Sequence, residues 1–397
     1  MGQQGISVKQ ILGLIPDDKL ALLAQETEVN WQVKKLWGEL MFKLLLMSIL
    51  QSNRISLRVI AQIYQSPRFR LQNGLPENST TTHTSLSDRL ATINSDYFEA
   101  IFNSCYELLS EQYNEKETDK YYIRRYDSTL LSASAKLLKT GMSTGRKQKD
   151  KNPEIKHIKL TIGFTGLLSN KVKFYNEQKH LSEDEPLRQT ILASSHSKDS
   201  IIVFDRGLKK RQTFVDFSNK DMLFVTRINP TKGYKVIKTN KVIQGEKTES
   251  LELISDEQVH LYHQGHIKLK FAFRLIKARS LTTDEVLFFL TNIQDMDAAS
   301  VAQIYKCRWD IEVFFRFLKQ EMNLKHMTSY SENGIRVMMY MTLIAAMLFM
   351  VYKKLNKLKG FKIPKMKFIE ELDKELMKEV VTFCGGNPQL LNKLYPT

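Results

Sequence analysis

Residues Tyr305 to Lys319 read YKCRWDIEVFFRFLK. Wound as one α-helix at about 100° per residue, this stretch sets Tyr305, Arg308, Glu312 and Lys319 within a stripe roughly 60° wide. Ile311, Val313, Phe314, Phe315, Phe317 and Leu318 crowd the rest of the circumference. The pattern predicts a buried helix with one polar seam turned towards something charged. A carboxylate flanked by Arg and Lys suits a place where metal ions and phosphates meet, with Glu binding metal and the cations holding phosphate oxygens. Arg308 and Glu312 are also four apart, so an intrahelical salt-bridge ladder on a half-exposed face satisfies the same spacing.

The spacing Y-x2-R-x3-E-x6-K resembles the signature of DDE transposases of bacterial insertion sequences, in the branch named for that Tyr-Arg-Glu-Lys motif. The resemblance implies that Glu312 completes a metal-binding Asp-Asp-Glu triad on an RNase H-like core. Two aspartates should then lie upstream.

Composition agrees with a polyanionic partner. The chain has 397 residues, 42% hydrophobic and 26% charged, as in an ordinary globular protein with room for more than one domain. Its net charge of +16 exceeds what solubility asks of a domain and favours nucleic acid or an acidic membrane surface. Cys105, Cys307 and Cys384 lie far apart and form no CxxC, so neither a disulfide framework nor a zinc knuckle is expected, and a reducing compartment fits. The start, MGQQGISVKQ, has no apolar h-region, and Ile6 stands where a myristoylation motif needs Ser or Thr. An unprocessed, cytoplasmic protein is expected. The apolar run Val337 to Tyr352 falls short of the ~18 to 20 residues a membrane span requires, and a buried core helix is expected there.

Residues 1 to 118 look helical throughout. Leu36 to Leu50 forms one apolar helix, and SLRVIAQIY from Ser56 has helical spacing. After a polar loop from Gln72 to Thr84, Ser85 with Asp88 three residues on reads as the N-cap of a helix through Arg89 and Leu90. The two short helices fit either a helix-turn-helix aiming Arg89 at a DNA groove or a plain helical bundle. At Tyr121 the pattern changes: YYIRRYDSTLLS reads as a strand holding Asp127, an unfavoured residue there unless it caps a turn with Ser128 or serves a site.

Lys136 to Lys156 is a basic loop, either solvated or touching phosphate. His157 to Phe164 alternates strictly, with Ile158, Leu160, Ile162 and Phe164 on one face. A strand around Val172 and Phe174 follows a turn at Gly166 to Asn170. A helix from Glu183 to Ala193 leads to Ser200 to Phe204, a continuous apolar strand of the kind buried on both faces. Asp205-Arg206-Gly207 ends it. That is a common turn signal, and also the strand end where α/β sheets put ligand-binding groups. After the strand Met222 to Ile228, only strand-like runs appear as far as Thr291: Tyr234 to Ile237, Ser250 to Ile254, Lys268 to Ile276 and Val286 to Leu290. His260, His263 and His266 in this region would point to alternating faces of a strand, with no Cys or carboxylate at a fixed helical offset, so a metal site is not expected there. Helix formation resumes near Asp297. The seven lysines between Lys353 and Lys367 close the chain with a basic helical tail.

In the resembling family, Asp127 and Asp205 match the first two carboxylates, and the all-β stretch matches the insertion that this branch carries. The expected fold is α/β, an RNase H-like mixed sheet flanked by helices and interrupted by an all-β insertion, with an all-α N-terminal domain. The expected segments are a helical DNA-binding domain (1–118), the core (119–228), the insertion (229–292), the rest of the core (293–352) and the tail (353–397). The resemblance implies catalysis and metal binding by Asp127, Asp205 and Glu312 with Mg²⁺ or Mn²⁺. DNA or phosphate contacts are expected from Tyr305, Arg308, Trp309 and Lys319, and from Arg206, Lys209, Lys210 and Arg211. The partners implied are double-stranded DNA and a second protomer, with no membrane. Two other readings remain open: an RNase H-like nuclease or resolvase that joins nothing, and a DNA-binding regulator that has lost catalysis. A tyrosine recombinase is disfavoured, because none of the eight histidines has Arg three residues on.

Overall fold

In the computed structural model the described residues are 6–393, apart from 53, 114–115, 135–137, 139, 144–154, 183, 195–196, 230–232, 241–246, 264–266, 325 and 327. Most of the basic loop between Lys136 and Lys156, and His266, therefore lie outside the described residues. The chain divides into two compact units, one of Met1–Tyr113, Ser134–Thr140 and Phe315–Thr397, the other of Asn114–Ala133 and Gly141–Phe314.

The second unit is built on one mixed sheet. Its strands are β1 (Tyr122–Ser134), β2 (Met142–Ser143), β3 (Ile155–Thr165), β4 (Leu168–Tyr175), β5 (Ser200–Phe204), β6 (Leu223–Arg227), β7 (Tyr234–Thr239), β8 (Leu251–His263), β9 (Ile267–Ser280) and β10 (Val286–Thr291). Their order is β2-β3-β1-β5-β6-β10-β9-β8-β7, with β4 paired to β3. β1, β5 and β6 run parallel, and β10, β9, β8 and β7 continue the sheet antiparallel from β6.

Both faces of the parallel centre are covered. Ile202 and Phe204 point into an aromatic cluster with Phe214, Phe217, Phe224 and Phe273. Ile201, Val203 and Ile123 point the other way, against Val301, Ala302 and Ile304 of the helix Ala298–Lys306. Strand side chains alternate, so an uninterrupted apolar run such as SIIVF is what two buried faces require. β3 departs from the expected half-exposed alternation: Lys159 and Thr161 are buried as well as Ile158, Leu160 and Ile162. Lys159 is accommodated because its ammonium donates to the carbonyls of Leu181 and Ser182 at 2.6 and 2.7 Å. The turn into β4 is shorter than expected, only Gly166 and Leu167, and Gly166 takes φ +58, a conformation that glycine adopts without strain.

The first unit is helical. Its longest helix, Glu332–Leu355, is capped by Ser331 and buried along nearly all its length, as the apolar run required. It is the one helix among the described residues long and apolar enough to cross a membrane, and 94% of its apolar window is buried. It packs on the helices Gly38–Gln51, His83–Thr92 and Ser95–Tyr113. The cap of the helix His83–Thr92 is Thr82, whose hydroxyl accepts from the Ser85 N–H, rather than Ser85 itself. Three residues of register separate the two, because Ser-x-x-Asp and Thr-x-x-Ser overlap in this polar run. Arg89 does not point at solvent: it donates to the Leu36 and Val29 carbonyls at 2.8 and 2.9 Å. Arg89 is thus used inside the bundle, which takes from a helix-turn-helix the cation that would have read DNA.

Candidate active site

Parallel pairing of β1 with β5 ends at Tyr126 opposite Phe204. Asp127 and Asp205 are the next residues on each strand, so the two carboxylates emerge from neighbouring strands, whose spacing is about 4.8 Å. They continue the alternation of Ile123 and of Ile201 and Val203, the residues facing the helix Ala298–Lys306. Asp205 lies just past its strand, where its Oδ1 accepts from the Gly207 N–H at 2.8 Å and Thr226 Oγ1 donates to its carbonyl at 3.2 Å. The Ser128 N–H donates to Asp127 Oδ1 at 2.7 Å, and Ser128 Oγ meets Thr161 Oγ1 at 2.8 Å. Both aspartates are half-buried.

The signature is not one helix. One helix ends at Lys306, a second runs Trp309–Gln320, and a two-residue turn at Cys307 and Arg308 joins them. Three-residue hydrogen bonds tighten the joint: Cys307 N–H to Ile304, Arg308 N–H to Tyr305, Asp310 N–H to Cys307 and Ile311 N–H to Arg308. The expected common stripe is therefore broken between Tyr305 and Glu312. The polar groups converge nonetheless. Arg308 Nη2 lies 2.7 Å from Glu312 Oε1, and the guanidinium sits over the Tyr305 ring, 5.7 Å from its centre. The Tyr305 ring rests 5.3 Å from that of Phe289 on β10.

Electrostatics tie this joint to the strand ends. Burial pushes the Tyr305 phenol above its ordinary pKa, opposed by Arg308 and Arg227, while the Asp205 carboxylate raises it further. For Arg308 burial pulls downward, but Tyr305, Glu312 and Asp127 prevail and hold the guanidinium charged. Arg308 thus feels both Glu312 and Asp127, and Tyr305 feels Asp205. The second helix is anchored over the same region by Phe314, stacked on Phe164 of β3 at 4.5 Å.

The bend is met by a residue that the sequence reading passed over. Arg125, two before Asp127 and only 1% exposed, donates from Nε to the Cys307 carbonyl at 2.7 Å and pairs with Asp310 at 2.8 Å and with Glu117. It takes the carbonyl at the turn and locks the joint beneath Tyr305 and Arg308. Among the described residues, Glu117, Cys307 and Asp310 form the one group of three possible ligands whose atoms all lie within 4.8 Å. The Arg125 guanidinium already sits between its two carboxylates, which makes the cluster an arginine clamp rather than a cation site. Asp127, Asp205 and Glu312 are more widely set than that limit, with Glu312 turned to Arg308.

The remaining expected contacts divide. Trp309 is 53% exposed, so it is no core tryptophan. Lys319 lies seven residues after Glu312 on the same helix and belongs to the other compact unit. Arg206, Lys209 and Lys210 are exposed beside Asp205, with the Lys210 N–H held by Asp184 Oδ1 at 2.8 Å. Arg211 is spent within the protein, donating to the carbonyls of Gly233 and Tyr262. His260 and His263 lie on β8 in ordinary pairing with Ala272 and Ile267.

The transposase DDE domain family matches residues 118–348, and the chain belongs to that family. It is 27% identical over 156 residues to y4zB of Sinorhizobium fredii, whose name makes it a transposase. It is 36% identical over 53 residues to a Synechocystis protein named for a transposase of insertion sequence element IS4SA. These alignments span 43% and 16% of the two relatives, so the chain matches less than half the length of either. A piggyBac transposase solved in a synaptic complex with hairpin DNA is similar at a TM-score of 0.48 and 11% identity, over 95% of this chain and 81% of that one.

Proposed function

We propose that the protein is a DNA transposase that cleaves the ends of an insertion sequence and transfers them to target DNA through Asp127, Asp205 and Glu312. The observation that carries this reading is the β1–β5 register, in which Asp127 of β1 and Asp205, just past the end of β5, follow directly on the last paired residues, Asp127 acting on Arg308 and Asp205 on Tyr305 of the signature. The strand order β4-β3-β1-β5-β6, with β1, β5 and β6 parallel, supports an RNase H-like core. On this reading β7 to β10 are the insertion of the Tyr-Arg-Glu-Lys branch, the N-terminal helices engage the element's ends, and the lysine-rich tail meets DNA or a second protomer.

The donor set fits a hard divalent cation, since it is made of carboxylate oxygens alone. Asp127 and Asp205 would hold Mg²⁺ or Mn²⁺, and Glu312 would join them by exchanging Arg308 for the metal. When bound, such ions activate the entering oxygen and steady the leaving oxygen of an in-line displacement at phosphorus. The chain's own residues do the rest. Arg308, whose buried Nε has no partner within the protein, supplies a donor for a phosphate oxygen. Tyr305, a neutral phenol whose pKa burial raises further, offers its O–H to the backbone. Trp309 offers an exposed ring to a base drawn from the duplex. In the first step water replaces the bridging oxygen and frees a 3′ hydroxyl. In the second, that hydroxyl attacks a target phosphodiester, joining to its phosphorus as the target's own 3′ oxygen leaves as a hydroxyl. Synapsis of two ends calls for a homodimer, acting in the cytoplasm.

The test uses a plasmid carrying the gene with its native flanking DNA. With Mg²⁺ the wild type releases the element and joins it to a second plasmid, whereas Asp205→Ala binds DNA and cleaves nothing. Hydrolysis without joined products would favour a nuclease or resolvase, and normal cleavage by the variant would remove Asp205 from the site.

A further inference from the structure

The helical unit contains a second basic site, separate in its residues from the acidic triad. A cavity of about 500 Å³ is lined by Arg54, Arg58, His83, His326, Thr328 and Tyr330, together with the capping residues of the helix Leu57–Gln65. No carboxylate lines it among the described residues. Arg54, Arg58, His83 and His326 are all exposed, so two full cations and two imidazoles face the same concavity without a counter-charge. Like charges gathered this way gain free energy from an anion placed among them. The helix contributes in the same sense, since its first turn, opened by the Ser56 cap, carries the positive end of the peptide dipole.

A second observation marks the cavity as built for a ligand. Thr328 is only 7% exposed, and its Oγ1 has no hydrogen-bond partner. A buried hydroxyl without a partner is costly, and folded proteins retain few of them. The walls are also fixed in place. Asn323, at φ +60, accepts from the Ile55 N–H at 3.3 Å and donates to the Ser52 carbonyl at 2.9 Å, tying the loop before the short helix to the loop that carries His326 and Thr328. At the far end Ser331 caps the long helix, and Gly334 lies so close to Ser329 that a Cβ there would meet its Oγ at 2.1 Å. Only glycine allows that approach.

We propose that this cavity binds a backbone phosphate of DNA, with Arg54 and Arg58 supplying charge and Thr328 a hydroxyl hydrogen bond. The proposal rests on the reading of the protein as DNA-binding and adds to it a contact independent of sequence, of the kind that positions a duplex without reading it. The experiment measures binding of the full chain to a fluorescent duplex of arbitrary sequence, between about 50 and 200 mM salt. Removing two phosphate contacts in R54Q/R58Q lowers the slope of log affinity against log salt by about 2 and weakens binding about ten-fold or more at the upper salt. Thr328→Val keeps shape and loses only the hydroxyl, and binding falls roughly 3- to 10-fold while the thermal midpoint holds or rises. Wild-type affinity and slope in both folded variants would overturn the cavity's role and leave the DNA reading standing. Absence of salt-dependent binding by the wild type would overturn both.

Discussion

Arg125 and Arg308 stand within one turn of the same joint, each beside carboxylates, and they differ in what they leave for a ligand. Arg125 is almost wholly buried and meets Glu117, Asp310, the Ile123 carbonyl and the Cys307 carbonyl. Arg308 has one carboxylate partner, a buried Nε with none, and a side chain 17% exposed. A guanidinium with its donors filled holds structure, and one with a donor left over is equipped to receive a phosphate. Arg274 on β9 belongs with Arg125: it is paired to Asp256 at 2.6 Å, both buried, and it also donates to backbone carbonyls. Where the sheet becomes antiparallel, paired charge is sealed inside. Just past the end of β5, where Asp205 comes beside Asp127 of β1, charge is left open.

Substitutions should separate the two roles. The largest effect on stability is expected from Arg125→Ala, which strands Glu117, Asp310 and a carbonyl. Asp310 is partly exposed and can rehydrate, so the cost is set below that of a fully buried pair, at about 2 to 4 kcal/mol. A fall in Tm of roughly 5 to 15 °C would register it, and an unchanged Tm would show that Arg125 does not hold the joint. A smaller, opposite pattern is expected from Arg308→Ala. Among the described residues Arg308 has a single carboxylate partner, Glu312, itself about a third exposed and able to rehydrate, so Tm should move by no more than about 2 °C. Strand cleavage should fall about 10- to 100-fold, the loss of a charged hydrogen bond to phosphate. Should Arg308→Ala instead destabilise as Arg125→Ala does, with full cleavage by the folded protein, the difference between the two arginines would vanish.

Much of this was legible in the sequence because it depends on local pattern. SIIVF reads as a strand buried on both faces and ends at Phe204 as observed, and Asp297 caps the first signature helix. The strand runs between Tyr234 and Thr291 are likewise short-range signals. The bend at Cys307 and Arg308 was not legible. No Gly or Pro marks it, and helical periodicity passes through it unbroken. At the bend the Cys307 carbonyl accepts from Arg125, 182 residues earlier in the chain, a partner that local pattern does not show. Arg125 itself carried a signal that could have been used. It shares the face of Ile123 and Asp127 in a strand buried there, and a charge in such a place demands partners. Arg89 and Arg211 were unreadable for a similar reason, since a cation that caps distant carbonyls has the same local sequence as one that awaits DNA.

The proposed triad is read as the divalent-ion site and the Glu117, Cys307 and Asp310 cluster as an arginine clamp, and anomalous scattering from crystals grown with Mn²⁺ tests both assignments at once. A peak beside Asp127 and Asp205, with Glu312 turned away from Arg308, is the predicted result. A peak at Asp310 with Arg125 displaced, and none beside Asp205, would contradict it.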